Sequence, residues 1–196
     1  MTDNPEHPGA GAPQDKAEES AAAPEQVLQD LRDLADGPVL WDDYEDPLYL
    51  FAFDHLMDQA YIARFVRGLR PAKLVRLPHH RLCWPFYLPP QETAVPSLER
   101  TNDDEDNVWG ILYQANNKDL SRLEEHLRVP NRYYRKSVIV MDRGNRRVSA
   151  FCYALNHEAK DAHKPSSGYM ERLIEAAISR KLPDEWIGQL REIKTE

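Results

Sequence analysis

Apolar positions along the chain fall into short runs with two different periods, broken by polar turns. Residues 48–53 form a continuous apolar run that reads as a buried strand. In residues 58–69, Tyr61, Ile62, Phe65, Val66 and Leu69 recur at helical spacing and predict a helix. The stretch "AKLVRLPHHRLCW", 72–84, reads as another strand, and the Pro- and acid-rich segment 88–106 reads as a loop. "NVWGILYQA", 107–115, predicts a buried strand. "NKDLSRLEEHL", 117–127, predicts a helix with Leu120, Leu123 and Leu127 on one face. Residues 133–142 and 146–155 predict two strands around the turn "DRGNR", a hairpin signal. Residues 165–182 and 183–193 read as closing helices. Strands and helices mixed around a hairpin predict an α+β domain over residues 48–196.

The first 47 residues look different. Residues 1–24 are rich in Pro, Ala, Gly and acids and have no periodicity, so they are expected to form a disordered acidic leader. In residues 25–36, Val27, Leu28, Leu31, Leu34 and Ala35 return at helical spacing, with Pro24 before and Gly37 after. This predicts an amphipathic helix that docks on the domain or binds a partner. Within 25–47 it is followed by an acidic linker, "WDDYEDP".

Charge sharpens the division. The net charge is −8, but residues 1–47 carry 13 acids against Lys16 and Arg32, a net of −11, which leaves +3 on the body. Acidity therefore belongs to the leader. Arg64, Arg67, Arg70, Lys73 and Arg76 form a basic stripe that begins on the helix expected at 58–69. It is an exposed polar face, or else a contact for an acidic partner or for the protein's own leader. The small body charge and the lack of interleaved aromatics argue against nucleic acid. No apolar run approaches the length of a membrane span, and the N-terminal stretch has no signal-peptide pattern. Cys83 and Cys152 fit no metal or redox spacing, as expected of reduced, partly buried thiols in a cytoplasmic protein. His79 and His80 with Cys83 lack a second ligand cluster and are expected at the surface. No metal and no cofactor is expected. "DDED", 103–106, reads as a solvated loop.

One stretch points toward chemistry. "YLFAFDHLMD", 49–58, begins as a strand and stops at Asp54-His55, a common place for a small-molecule site. Around it, six motifs occur in an order that resembles the γ-glutamylcyclotransferase family, with its AIG2-like members. They are "FAFDHL", "AKLVRLPHHRLCW", "VWGILY", "LEEHLRVP", "YYRKSVIV", and the closing "PSSGY" with "KLPDEW". The resemblance spans about residues 48–193. It implies a small mixed β-barrel with surrounding helices and one pocket at its mouth.

The resemblance also implies an activity, in which a γ-glutamyl amine attacks its own γ-carbonyl and leaves 5-oxoproline and an amine. One carboxylate can take and return the proton. Backbone N–H groups in a glycine-bearing loop would hold the substrate carboxylate and the oxyanion. Aligned on Val129-Pro130, the family's acid is Leu127 here and its glycine is Arg128. In the first loop, Asp54, His55 and Leu56 replace Gly, Ser and Asn. A leucine cannot shuttle a proton. Asp54 at about 4 Å from a substrate carboxylate, at an effective dielectric of about 20, would repel it by about 4 kcal/mol, about a thousandfold in binding.

The expected protein is therefore a non-catalytic or weakly catalytic member that acts in binding or regulation. Phe53, Asp54, His55, Leu56 and Tyr169 are the expected ligand-binding residues and a small γ-glutamyl-like compound the expected ligand. The alternatives are an enzyme with an altered substrate, using Glu124 one helical turn before Leu127 or an Asp54–His55 pair, and an adaptor working through residues 25–36. Adjacent residues seldom face one pocket, which counts against the Asp54–His55 pair.

Overall fold

In the computed structural model, residues 48–67, 69–156 and 163–196 are described. The acidic leader, 1–24, and the helix and linker expected over 25–47 lie outside the described residues. The element order is β1 (Leu48–Ala52), α1 (Gln59–Ile62), β2 (Arg70–Pro78), β3 (His80–Leu88), β4 (Thr93–Arg100), β5 (Asn107–Ala115), α2 (Asn117–Leu127), β6 (Tyr133–Asp142), β7 (Arg147–Leu155), α3 (Ser167–Ser179) and α4 (Asp184–Glu192). Five strands close a barrel in the order β1-β5-β2-β6-β7, while β3 and β4 pair as a separate two-stranded sheet. This is the α+β barrel expected from the sequence.

The barrel strands β1, β5 and β7 carry runs of consecutive buried residues, so both of their faces are covered. Leu50, Phe51, Leu112, Tyr113 and Phe151 are wholly buried. β1 runs antiparallel to β5 (Leu50↔Tyr113) and parallel to β7 (Leu50↔Phe151), and this last pairing is the seam of the barrel. The β1–β5 contact is close enough that a Cβ added to Gly110 would lie 2.2 Å from the Ala52 carbonyl oxygen. A glycine is required there by backbone approach, not by conformation.

Three expectations are corrected. The helix at 58–69 is a single regular turn, Gln59–Ile62, and the chain then winds on through tighter bonds such as Phe65 N–H to the Ile62 carbonyl. Its apolar spacing survives, because Ile62 and Val66 are buried and Tyr61 and Phe65 half-buried, and that inward face is all the spacing demanded. The run 72–84 is two strands, broken at His79 with φ 56°, and they enter different sheets. The expected loop 88–106 contains β4. Its residues 93–98 are all buried, so no alternation marks it, and Pro96 falls where the β3–β4 register shifts, the place a strand tolerates a missing N–H.

α2 and α3 begin on side-chain caps. Asn116 Oδ1 accepts the Asp119 N–H at 2.8 Å to start α2, and Ser166 Oγ accepts the Tyr169 N–H at 3.3 Å to start α3. α2 ends at Arg128 in the left-handed region, φ 58°, with the Val129 N–H returning to the Glu124 carbonyl. The turn between β6 and β7 is held by Asp142. Its carboxylate accepts the N–H groups of Gly144 and Arg146 and the Arg146 guanidinium.

Candidate functional site

The site is built where β1 ends. Phe53 and Asp54 remain buried as the chain leaves the barrel, and it then makes a 3-10 turn over His55–Met57. Asp54 Oδ1 accepts the Leu56 N–H at 2.9 Å and starts that turn. Asp58 repeats the device on Ala60 and starts α1. Two aspartate caps in succession fold the segment over the barrel mouth.

The turn is pinned from beneath. Tyr113 Oη donates to the Met57 carbonyl at 3.1 Å, and Arg180 Nε donates to the same oxygen at 2.9 Å. The Arg180 guanidinium also bonds Tyr113 Oη and Gln59 Oε1. One arginine at the end of α3 thus ties the turn, α1 and β5 together.

Asp54 and His55 do meet, contrary to the expectation for adjacent residues, because the cap geometry turns both side chains the same way. Asp54 Oδ2 lies 3.3 Å from His55 Nδ1. Burial alone would raise the Asp54 pKa, but the His55 charge and the bonds from His55 and Leu56 outweigh it and hold the carboxyl below its ordinary value. Burial opposes the charge on His55 as well, and Asp54 outweighs that and raises it. The result is an ion pair between a buried Asp54 and a half-buried His55. Tyr169 Oη lies 3.5 Å from the same imidazole nitrogen, and the Tyr61 ring packs edge-on against His55 at 4.7 Å. The Tyr169 and Tyr133 phenols are pushed up, first by burial and then by the Asp54 charge, and stay protonated.

Beside the pair lies a cavity of about 170 Å³ lined by His55, Asp58, Tyr61, Gln91, Tyr169, Arg172 and Leu173. Of the five expected ligand residues, His55 and Tyr169 reach it. Phe53 and Leu56 are instead packed into the core, and Asp54 stands behind His55. Sequence reasoning missed Asp58, Gln91 and Arg172, and read Tyr61 as core face. The signal for Asp58 was present in its placement just before an apolar helical run, a helix-capping position. Arg172 and Gln91 carry no local signal. Tyr61 Oη also bonds His126 Nε2 at 3.0 Å, and Phe65 stacks on the His126 ring at 4.3 Å. Burial, then the charges of His55 and Arg132, lower the His126 pKa.

Leu127 is buried at the last position of α2. Arg128 follows in the left-handed conformation that favours glycine, and Lys181, φ 57°, adopts it after α3. Glu124 is engaged elsewhere, since it pairs with Arg135 and accepts from Tyr153 Oη at 2.9 Å, against β6 and β7.

The remaining candidates disperse. Arg64, Arg67 and Arg70 are exposed, but they lie in the turns after α1 and at the start of β2 rather than along one helix. Lys73 bonds Asp142, and Arg76 bonds Asn107 and Asn145. His79 is exposed and pairs with Asp104. His80 and Cys83 are buried rather than at the surface, His80 with Nδ1 2.7 Å from the Pro78 carbonyl oxygen. Cys152 is also buried, so both thiols are more enclosed than expected. No helix of the described residues is long and apolar enough to cross a membrane.

A closed five-stranded barrel with a capped turn and a small polar cavity at its mouth defines the class: this is the γ-glutamyl cyclotransferase fold. A solved γ-glutamyl cyclotransferase matches with a TM-score of 0.68 and 18% identity, over 77% of this chain and 90% of its own. An uncharacterized protein from Homo sapiens, loc79017, matches with a TM-score of 0.68 and 19% identity, over 78% and 90%. A glutathione-specific γ-glutamyl cyclotransferase from yeast matches with a TM-score of 0.50 and 12% identity, over 75% and 97%. At these identities the likeness is one of fold. No curated protein matches the sequence significantly. Residues 107–190 match the AIG2-like family. That match covers under half of the chain, and with the fold it supports the resemblance that the order of the sequence motifs implied.

Proposed function

We propose that the domain binds a small γ-glutamyl-like ligand at the barrel mouth and turns it over weakly or not at all, acting in binding or regulation. One observation carries the reading: Asp54 places its own carboxylate on the Leu56 N–H, the kind of donor that a substrate carboxylate needs. The loop is thus satisfied internally, and its buried charge is balanced by His55. The aliphatic Leu127 at the aligned acid position supports the same reading, and so does the engagement of Glu124 with Arg135 and Tyr153. Two buried cysteines far apart in the sequence fit a cytoplasmic setting.

The test incubates the purified full chain with γ-glutamyl amines, measures 5-oxoproline, and follows ligand binding by calorimetry. Binding with negligible release is expected. Turnover abolished by Asp54→Ala or Leu127→Ala would overturn the reading.

A second reading, an enzyme with a changed acid–base, is favoured by the approach of Asp54 and His55 beside the cavity. It requires turnover that His55→Gln abolishes while folding is kept. Should Glu124→Gln abolish turnover instead, the acid would be the residue paired with Arg135.

A further inference from the structure

The end of α3, the residues of α4 from Asp184 to Arg191 and the β6–β7 turn enclose a groove of about 670 Å³, none of whose lining residues lines the cavity at the barrel mouth. Its floor is apolar, from Ile178, Leu182 and Ile187. Ile178 is 47% exposed, one of two large hydrophobic side chains so exposed among the described residues. Arg143, Lys181 and Arg191 surround it, with Asp184 as the opposing charge. An apolar floor with a cationic rim fits an amphipathic segment of acidic character.

The chain carries such a segment. In residues 25–36, Val27, Leu28, Leu31 and Leu34 share one helical face, and Glu25, Asp30, Asp33 and Asp36 supply charge. Topology brings its attachment point close. β1 and β7 are parallel neighbours with Leu50 opposite Phe151, so the start of β7 lies level with the start of β1. Arg143, in the turn just before β7, is then on the order of 10–20 Å from Leu48, where the leader joins the barrel. The 11 residues between Asp36 and Leu48 span up to about 36 Å when extended. The groove is within reach, and the leader's net of −11 faces a body of +3.

We propose that residues 25–36 of the same chain occupy this groove, with the leucines on Ile178 and the acids against Arg143, Lys181 and Arg191. The contact ties the acidic leader to the barrel and covers the exposed Ile178. It is independent of what the mouth binds.

Hydrogen–deuterium exchange of the full chain tests it at low salt. Amides in 25–36 are expected to exchange at least tenfold more slowly in the wild type than in Lys181→Glu/Arg191→Glu or in Leu28→Asp/Leu31→Asp. The protection should shrink at 0.5 M salt and stay unchanged on dilution. Unchanged β5 amide protection confirms that each variant is folded, and the leader variant leaves the domain untouched. Equal exchange in all three proteins would overturn the proposal. So would protection that survives the groove variant, as docking on the Arg64 and Arg67 surface predicts, or protection lost on dilution, as a second copy predicts.

Discussion

The Asp54 carboxylate accepts the Leu56 N–H at 2.9 Å and faces the His55 imidazole at 3.3 Å, so an internal anion satisfies the loop at the barrel mouth. Removing that anion should favour ligands that carry a carboxylate. For Asp54→Gly we expect about a hundredfold tighter binding of a γ-glutamyl compound, below the thousandfold of an unscreened charge because His55 already offsets part of it. Calorimetric titration of both proteins checks this; equal affinities would mean that the Leu56 N–H is not where ligand carboxylates bind.

The same pair sets a pH window. Asp54 sits below its ordinary 3.8, so its contribution is present above about 3.8 and lost as pH falls through its lower folded value. His55 sits above its ordinary 6.5, so its contribution is complete below about 6.5 and lost as pH rises through the higher folded value. The stability difference between wild type and His55→Gln should therefore be largest at about pH 5–6 and narrow toward pH 9. Thermal melts across that range measure it, and a constant difference would show that the pair is not ionised.

Gly110→Ala should destabilise the barrel by about 3 kcal/mol or more. The added methyl would meet the Ala52 carbonyl oxygen, and backbone cannot swing aside as a flexible side chain can. Urea denaturation gives the value; a loss below about 1 kcal/mol would mean that β1 and β5 can separate freely.

Arg128→Gly should go the other way. A left-handed non-glycine costs about 1–2 kcal/mol, and glycine's extra unfolded-state freedom returns part of it, so a net gain of about 0.5–1 kcal/mol is expected. A loss would show that the Arg128 side chain contributes more than its backbone strains.

Arg180→Ala should cost about 2 kcal/mol, because it removes charged donors from the Met57 carbonyl and Tyr113 Oη. It should also weaken ligand binding at the mouth, since the turn carrying His55 loses its anchor. Wild-type affinity in a destabilised variant would separate the anchor from the site.

Much of this was legible before any coordinates. Apolar runs gave β1 and β5, both of whose faces are buried, and the hairpin signal gave β6 and β7. Period-3.6 leucines gave α2. Local backbone chemistry also accounts for the meeting of Asp54 and His55, an Asx cap being a contact two residues long. β4 was hidden, because a strand buried throughout 93–98 shows no alternation and its proline reads as a break. Arg172, Gln91 and Asp58 gather at one cavity from three separate parts of the chain, and no window of sequence contains that meeting.

The sequence by itself determined which segments could bury a face, that an aliphatic residue and an acid occupy the two aligned positions, and that charge is divided between leader and body. These are properties of neighbours along the chain. Only the tertiary structure decided that Glu124 faces Arg135 and that Arg180 reaches from α3 to hold the turn. Those outcomes depend on barrel closure, which sets distances between groups as many as 123 residues apart.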